Sequence, residues 1–105
     1  MPKFEIEVVD LAVQELKEIR AFDRQRIIEQ IDSQLGDVPT ESTRNRKRLD
    51  SAVPDFEHVA PIWELRVGEF RVFYDVDETA RMVFVRAIRR KLPENTTEDV
   101  IRERD

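Results

Sequence analysis

A chain of 105 residues with 40% hydrophobic content is long enough for one domain around a single core, burying about 60–70% of its unfolded surface. It contains no cysteine, which excludes disulfides, thiolate nucleophiles and cysteine-ligated zinc and points to a reducing compartment. The net charge of −5 argues by its total against nucleic acid as a partner; no apolar run approaches the roughly 20 residues of a membrane span and Met1-Pro2-Lys3-Phe4 does not open a secretory signal, so the chain reads as soluble and cytoplasmic with no membrane partner.

Phe4, Ile6 and Val8 alternate with Glu5 and Glu7, so residues 3–9 are predicted to form a strand with one wet face. Asp10 is a candidate N-cap for a helix whose apolar stripe is Ala12, Leu16 and Ile19. Asp23 is a candidate cap for a second helix striped by Ile27, Ile28, Ile31 and Leu35, with Gly36 suited to the C′ position and Pro39 just beyond. So short a connection makes the two helices an antiparallel hairpin, and its apolar face needs a sheet to cover. Residues 37–61 read as irregular, with Pro39, Pro54, Pro61 and the basic loop 44–48; a loop of that length is functional, mobile or hides a short element.

Three strands are expected over Ile62 to Lys91. Trp63, Leu65 and Val67 share one face of the first, and Phe70, Val72, Tyr74 and Val76 one face of the second, with Gly68 free to take the positive φ of a tight turn between them. Asp77 to Ala80 form a looser turn, and Met82 to Ile88 is apolar on both faces except at Arg86, as a central strand would be. Pro93 ends the ladder, and Thr96 or Thr97 opens a short helix in the tail 94–105. The expected fold is α+β: one domain, residues 1–105, with a helical hairpin packed on one face of a mainly antiparallel four-stranded sheet.

The charge is uneven. Residues 79–93 hold five basic and no acidic side chains and residues 41–53 four basic against two acidic, so two local cationic patches persist within an acidic total. Arg44, Arg46, Lys47 and Arg48 in the first, with Arg86, Arg89 and Arg90 in the second, are candidates for nucleic-acid contact; the ordinary alternative is that they are solvated or ion-paired. By parity the sheet face turned from the hairpin carries Glu64, Arg66, Arg71, Phe73 and Asp75. His58 is alone, without a second histidine or a cysteine to make it a metal site, and two glycines cannot build a phosphate-cradling loop. No metal or cofactor is expected.

The run "WELRVGEFRVFYDVDE … VFVRAIRRK", preceded by a strand, a helical hairpin and a basic loop, resembles the RelE/ParE superfamily of small bacterial toxins from type II toxin-antitoxin systems, and the likeness of pattern extends from Phe4 to Lys91. The resemblance implies a cognate antitoxin as partner and, for the best-known members, metal-independent cleavage of mRNA on the ribosome. Such chemistry needs charge stabilisation of a phosphorane together with a base for the 2′-hydroxyl and an acid for the leaving oxygen. The likeness places the catalytic cations at Arg66, Arg71 and Lys91, guanidinium groups being suited to bidentate phosphate contact. Two departures stand out: Glu64 occupies a position where RNA-cleaving members have a lysine, and no aromatic residue follows Phe84 to serve as their C-terminal tyrosine. Glu64 is then either a general base or an ion-pair partner of the nearby arginines. The alternatives are a non-enzymatic inhibitor of DNA gyrase, as ParE-like members are, and an inactive homologue retained for binding its antitoxin.

Overall fold

The computed structural model describes residues 3–102. In chain order these form β1 (Glu5–Val8), α1 (Asp10–Lys17), α2 (Ala21–Leu35), β2 (Arg46–Leu49), β3 (Ile62–Val67), β4 (Phe70–Asp77), β5 (Met82–Arg90) and α3 (Thr97–Ile101). The strands make one sheet in the order β1-β5-β4-β3-β2, antiparallel throughout except for the parallel pair β1–β5. No described helix is long and apolar enough to cross a membrane.

The parity expected for the central strands holds. Trp63, Leu65, Val67, Phe70, Val72 and Tyr74 bury one face of β3 and β4 against Ala12, Ile27, Ile31 and Leu35 of the helical hairpin, joined by Val83, Val85 and Ile88 of β5. The apolar stripe of each helix therefore has the partner its spacing demanded, with two departures: Ile28, expected on the α2 stripe, faces away and is exposed, and Ile19 packs on the core from just past the end of α1. Gly68 takes φ +58° in the β3–β4 turn, and a Cβ there would meet Arg26 Nη2 at 2.4 Å. Gly68→Ala is expected to cost about 1–2 kcal/mol in chemical denaturation, chiefly from backbone strain, because the Arg26 tip can move aside.

The sheet has five strands rather than four. The extra one, β2, is Arg46-Lys47-Arg48-Leu49, lying within the expected basic loop and paired antiparallel with β3. Its charges hide its period. Arg46 stands opposite Leu65 on the hairpin side, where it is buried, and its Nη1 donates to the Gln34 carbonyl oxygen. An arginine stem thus fills a core position that a sequence pattern assigns to an aliphatic residue.

Helix starts also differ from expectation. Val9 and Arg20 are the N-cap residues of α1 and α2, so Asp10 and Asp23 lie in the first turns and act through the helix dipole rather than as side-chain caps. Arg20 Nε donates to Asp23 across that turn at 2.9 Å. Gly36 is the C-cap of α2 in ordinary right-handed geometry, and its carbonyl accepts the amides of Lys3 and Phe4.

A hydrogen bond from the core fixes the loop after α2. Tyr74 donates its hydroxyl to the Pro39 carbonyl at 2.6 Å. Burial pushes this phenol well above its ordinary value, with the Arg46 charge opposing in part. Because the folded pKa is raised, the unfolded chain ionises first, so stability is expected to decline as pH climbs above about 10. Tyr74→Phe should flatten that decline in urea titrations at alkaline pH.

The far face of the sheet is not open, contrary to the reading from parity alone. Phe56 and Ile62 join Phe73, Ala87, Val100 and Ile101 in a second apolar cluster there, with Leu49 and Ala52 at its margin. Two segments make this cover: the stretch between β2 and β3, and α3. The former is anchored by Asp75, whose Oδ2 accepts the Val59 amide at 2.9 Å and Arg86 Nε at 2.7 Å. Helix α3 starts with a capping box, Thr96 Oγ1 accepting from the Asp99 amide and Asp99 accepting from the Thr96 amide.

Candidate anion-binding site

Register places the far-face cations in a row across the strands. Arg66 of β3 stands opposite Arg71 of β4, which stands opposite Arg89 of β5, while the Arg66 amide donates to the Asn45 carbonyl beside β2. The neighbouring row reads Lys47, Glu64, Phe73 and Ala87. With adjacent strands about 4.8 Å apart, four strands present a strip roughly 14 Å wide. Lys91 follows the end of β5, half-buried, its amide donating to the Glu69 carbonyl at 2.6 Å.

Arg71 is the centre of this strip and is buried. Its Nη1 donates to the carbonyls of Gly68 and Phe70, each at 2.9 Å, so the β3–β4 turn holds the guanidinium in place. Its Nε lies 3.9 Å from Glu64 Oε2, too long for a hydrogen bond. Burial holds the Arg71 pKa below the usual arginine value; Glu64 opposes this and the Arg66 charge adds to it. Among the described residues Arg46 Nε is the one fully buried side-chain nitrogen without a hydrogen bond, so the unbonded edge of Arg71 is not sealed from water. A fixed cation with a free edge, pressed by a like charge, favours an incoming anion.

Glu64 is buried too, and its Oε2 accepts Thr97 Oγ1 of α3 at 3.1 Å. The carboxylate therefore sits between Arg71 and the tail, which neither the base reading nor the plain ion-pair reading of the sequence had included. Arg66 is exposed, as are Arg44 and Lys47, and none of these has an acidic partner among the described residues.

The remaining candidates are engaged elsewhere. Arg46 points into the hairpin side, and Arg48 pairs with Asp50 at 2.6 Å. Arg86 makes a two-pronged pair with Asp75, at 2.7 and 3.2 Å, and lies over the Phe84 ring. Arg90 pairs with Glu69. Arg89 donates to Glu15 at 2.8 Å, to Asp55 at 3.1 Å and to the Val100 carbonyl at 3.0 Å. Burial alone would lower its pKa, but hydrogen bonds and charge from Glu15, then Asp55, more than offset that, and the value ends above the ordinary one.

Local sequence around Arg89 to Lys91 is free of acids, yet folding brings Glu15, Asp55 and Glu69 to this cationic run. Glu15 is the residue that sequence reasoning missed. Strand β1 leaves β5 at Val85, and beyond it the Glu15 carboxylate accepts the Ile88 amide at 2.9 Å, satisfying an edge that no strand covers. Its position on the polar side of α1 gave no signal of this.

The site is thus an arginine pair, Arg66 and Arg71, with Lys47 opposite Glu64 in the next row and Arg89, beside Arg71, paired with Glu15 and Asp55. It can bind and polarise a phosphate, while its one central carboxylate is held by a threonine. No group of three or more histidine, cysteine or acidic side chains among the described residues is placed to hold a metal ion.

Comparison with known proteins agrees with this architecture. The chain superposes on the RelBE2 toxin-antitoxin complex from Mycobacterium tuberculosis with TM-score 0.68 at 18% identity, over 87% of this chain and 100% of that one. For the archaeal RelE-RelB complex from Pyrococcus horikoshii the TM-score is 0.67 at 16% identity, over 89% and 99%. For the intact Escherichia coli RelBE complex it is 0.54 at 18% identity, over 87% and 99%. No curated protein sequence matches the chain. The family profile described as the ParE toxin of the type II toxin-antitoxin system parDE matches residues 6–91, which takes in both helices of the hairpin, β2 to β5 and all of β1 but Glu5. The chain is therefore a toxin of the RelE/ParE superfamily, belonging to the ParE toxin family of type II toxin-antitoxin systems.

Proposed function

We propose that this toxin acts on RNA through the far face of its sheet, as a metal-independent endoribonuclease that cuts mRNA on the ribosome. The observation that carries the reading is the cross-strand pair Arg66–Arg71, one guanidinium exposed and the other fixed by backbone carbonyls with an edge left free. Two such groups side by side suit the extra negative charge of a phosphorane. Glu64, beside Arg71, is the candidate base once Thr97 no longer holds it, and Lys91, just past β5, is the third candidate cation. Arg44 and Lys47 extend the positive surface along the path of a single strand.

The second reading is a non-enzymatic inhibitor of DNA gyrase. It is favoured by the ParE family match and by the carboxylate at Glu64 in the middle of the strip.

Both readings carry an antitoxin partner, as in the complexes named above. A groove of about 1030 Å³ between the hairpin and the end of β5 suits it, with Leu11 and Phe22 exposed along its wall and its arginines Arg20, Arg26 and Arg90 paired with Asp23 and Glu69 of the same lining. An amphipathic segment can lay its apolar side there.

Expression of the chain alone in bacteria, followed by mapping of mRNA ends and of plasmid supercoiling, separates the readings. Codon-phased cuts are the expected result. Altered supercoiling with intact mRNA would replace the ribonuclease by the gyrase inhibitor, and unimpeded growth would leave neither.

A further inference from the structure

Helix α3 lies on the proposed RNA site. Val100 and Ile101 fill the slot made by Phe56, Ile62, Phe73 and Ala87, and Thr97 holds Glu64. The carbonyl of Val100 accepts from Arg89, and that of Ile101 from the Asp55 amide at 3.3 Å. A polyanion approaching Glu64 meets this helix first.

Its attachments are of a kind that can be undone. The helix has five residues, a single turn, well short of the length at which a helix persists unaided. It is reached through Leu92, Pro93 and Glu94, all exposed. No described salt bridge joins α3 to the sheet; its contacts are two buried apolar side chains, one hydroxyl, backbone carbonyls and, at its C-cap, Arg102 Nε donating to the Val53 carbonyl at 3.0 Å. Lifting it leaves Arg89 still paired with Glu15 and Asp55, so no buried charge is stranded. What the lift does expose is Glu64 and the slot beside Arg71. The rest of the sheet stays closed, because the stretch after β2 keeps its own anchor at Asp75.

We propose that α3 is a removable cover, closing the far-face RNA site in the free toxin and lifting when RNA takes its place. This rests on the reading of that face as the RNA site. A closed cover lowers apparent affinity by the fraction of molecules that are open, so loosening it should tighten binding without any new contact.

The test uses the full chain and a short fluorescein-labelled oligoribonucleotide, with affinity read by anisotropy. Thr96→Ala removes the cap of α3, and Ile101→Ser weakens its seat. Binding is expected to tighten modestly in the first and by about tenfold or more in the second, with the gain lost when Arg71→Ala is added. Hydrogen exchange at the Asp55 and Val100 amides, whose bonds depend on α3, should quicken in the same order while β4 stays protected. Should Ile101→Ser fail to fold, Thr96→Ala carries the test, since it touches no core residue. Equal or weaker binding in the loosened variants, with parent binding that disappears in Arg66→Ala, overturns the cover and leaves the RNA reading standing. No binding by the parent or by any loosened variant overturns both.

Discussion

Asp75→Ala is expected to remove about 3–5 kcal/mol of stability. Asp75 is almost wholly buried and accepts from Arg86 through both oxygens and from the Val59 amide. Truncating it strands the Arg86 guanidinium, whose side chain is 12% exposed, and frees the stretch that caps the far-face cluster. For a domain of this size that is a fall in Tm of at least about 12 °C, measurable by thermal scanning. The double variant Asp75→Ala with Arg86→Leu should recover part of the loss, because the stranded charge is gone. A loss below about 1 kcal/mol would mean that Arg86 finds water without disturbing the fold.

Arg66→Ala and Arg71→Ala are expected to lower mRNA cleavage by about 100-fold each, the scale for removing one donor to a developing charge. They should differ in stability. Arg66 is exposed and unpaired, so its loss should stay within about 0.5 kcal/mol of the parent. Arg71 is buried beside Glu64, so its loss leaves a buried carboxylate supported by Thr97 alone and should destabilise measurably. Primer-extension mapping of mRNA ends and urea denaturation of the purified variants give both readouts. Undiminished cutting in Arg66→Ala would put the chemistry elsewhere on the protein.

Where the chain uses aliphatic and aromatic residues for its periods, the fold was legible. The helical hairpin, the β3–β4 hairpin with its glycine turn and the central place of β5 all follow from spacing, because burial there is by apolar side chains. Where it uses charged residues as packing or pairing groups, the reading faltered. Strand β2 escaped notice because an arginine stem fills its core position. The cover on the far face was missed because Phe73 looked like a lone aromatic among charges, although Phe56, Val100 and Ile101 were waiting far along the chain to meet it. Parity brought Arg66 and Arg71 together, but it could not tell which of Arg86, Arg89 and Arg90 would find acids from other elements.

The parallel pairing of β1 with β5 sets an order of events during synthesis. The first strand leaves the ribosome some eighty residues ahead of the partner it needs, and α1 and α2 must wait for the same late segment to complete the surface they cover. Strands β2, β3 and β4 can pair earlier and offer α2 part of its surface, but β1 has no neighbour in the sheet until Met82 to Arg90 has been made. Strand β5 is thus the piece that closes the sheet, and a nascent chain lacking it exposes an unpaired β1 and an arginine row still without Arg89.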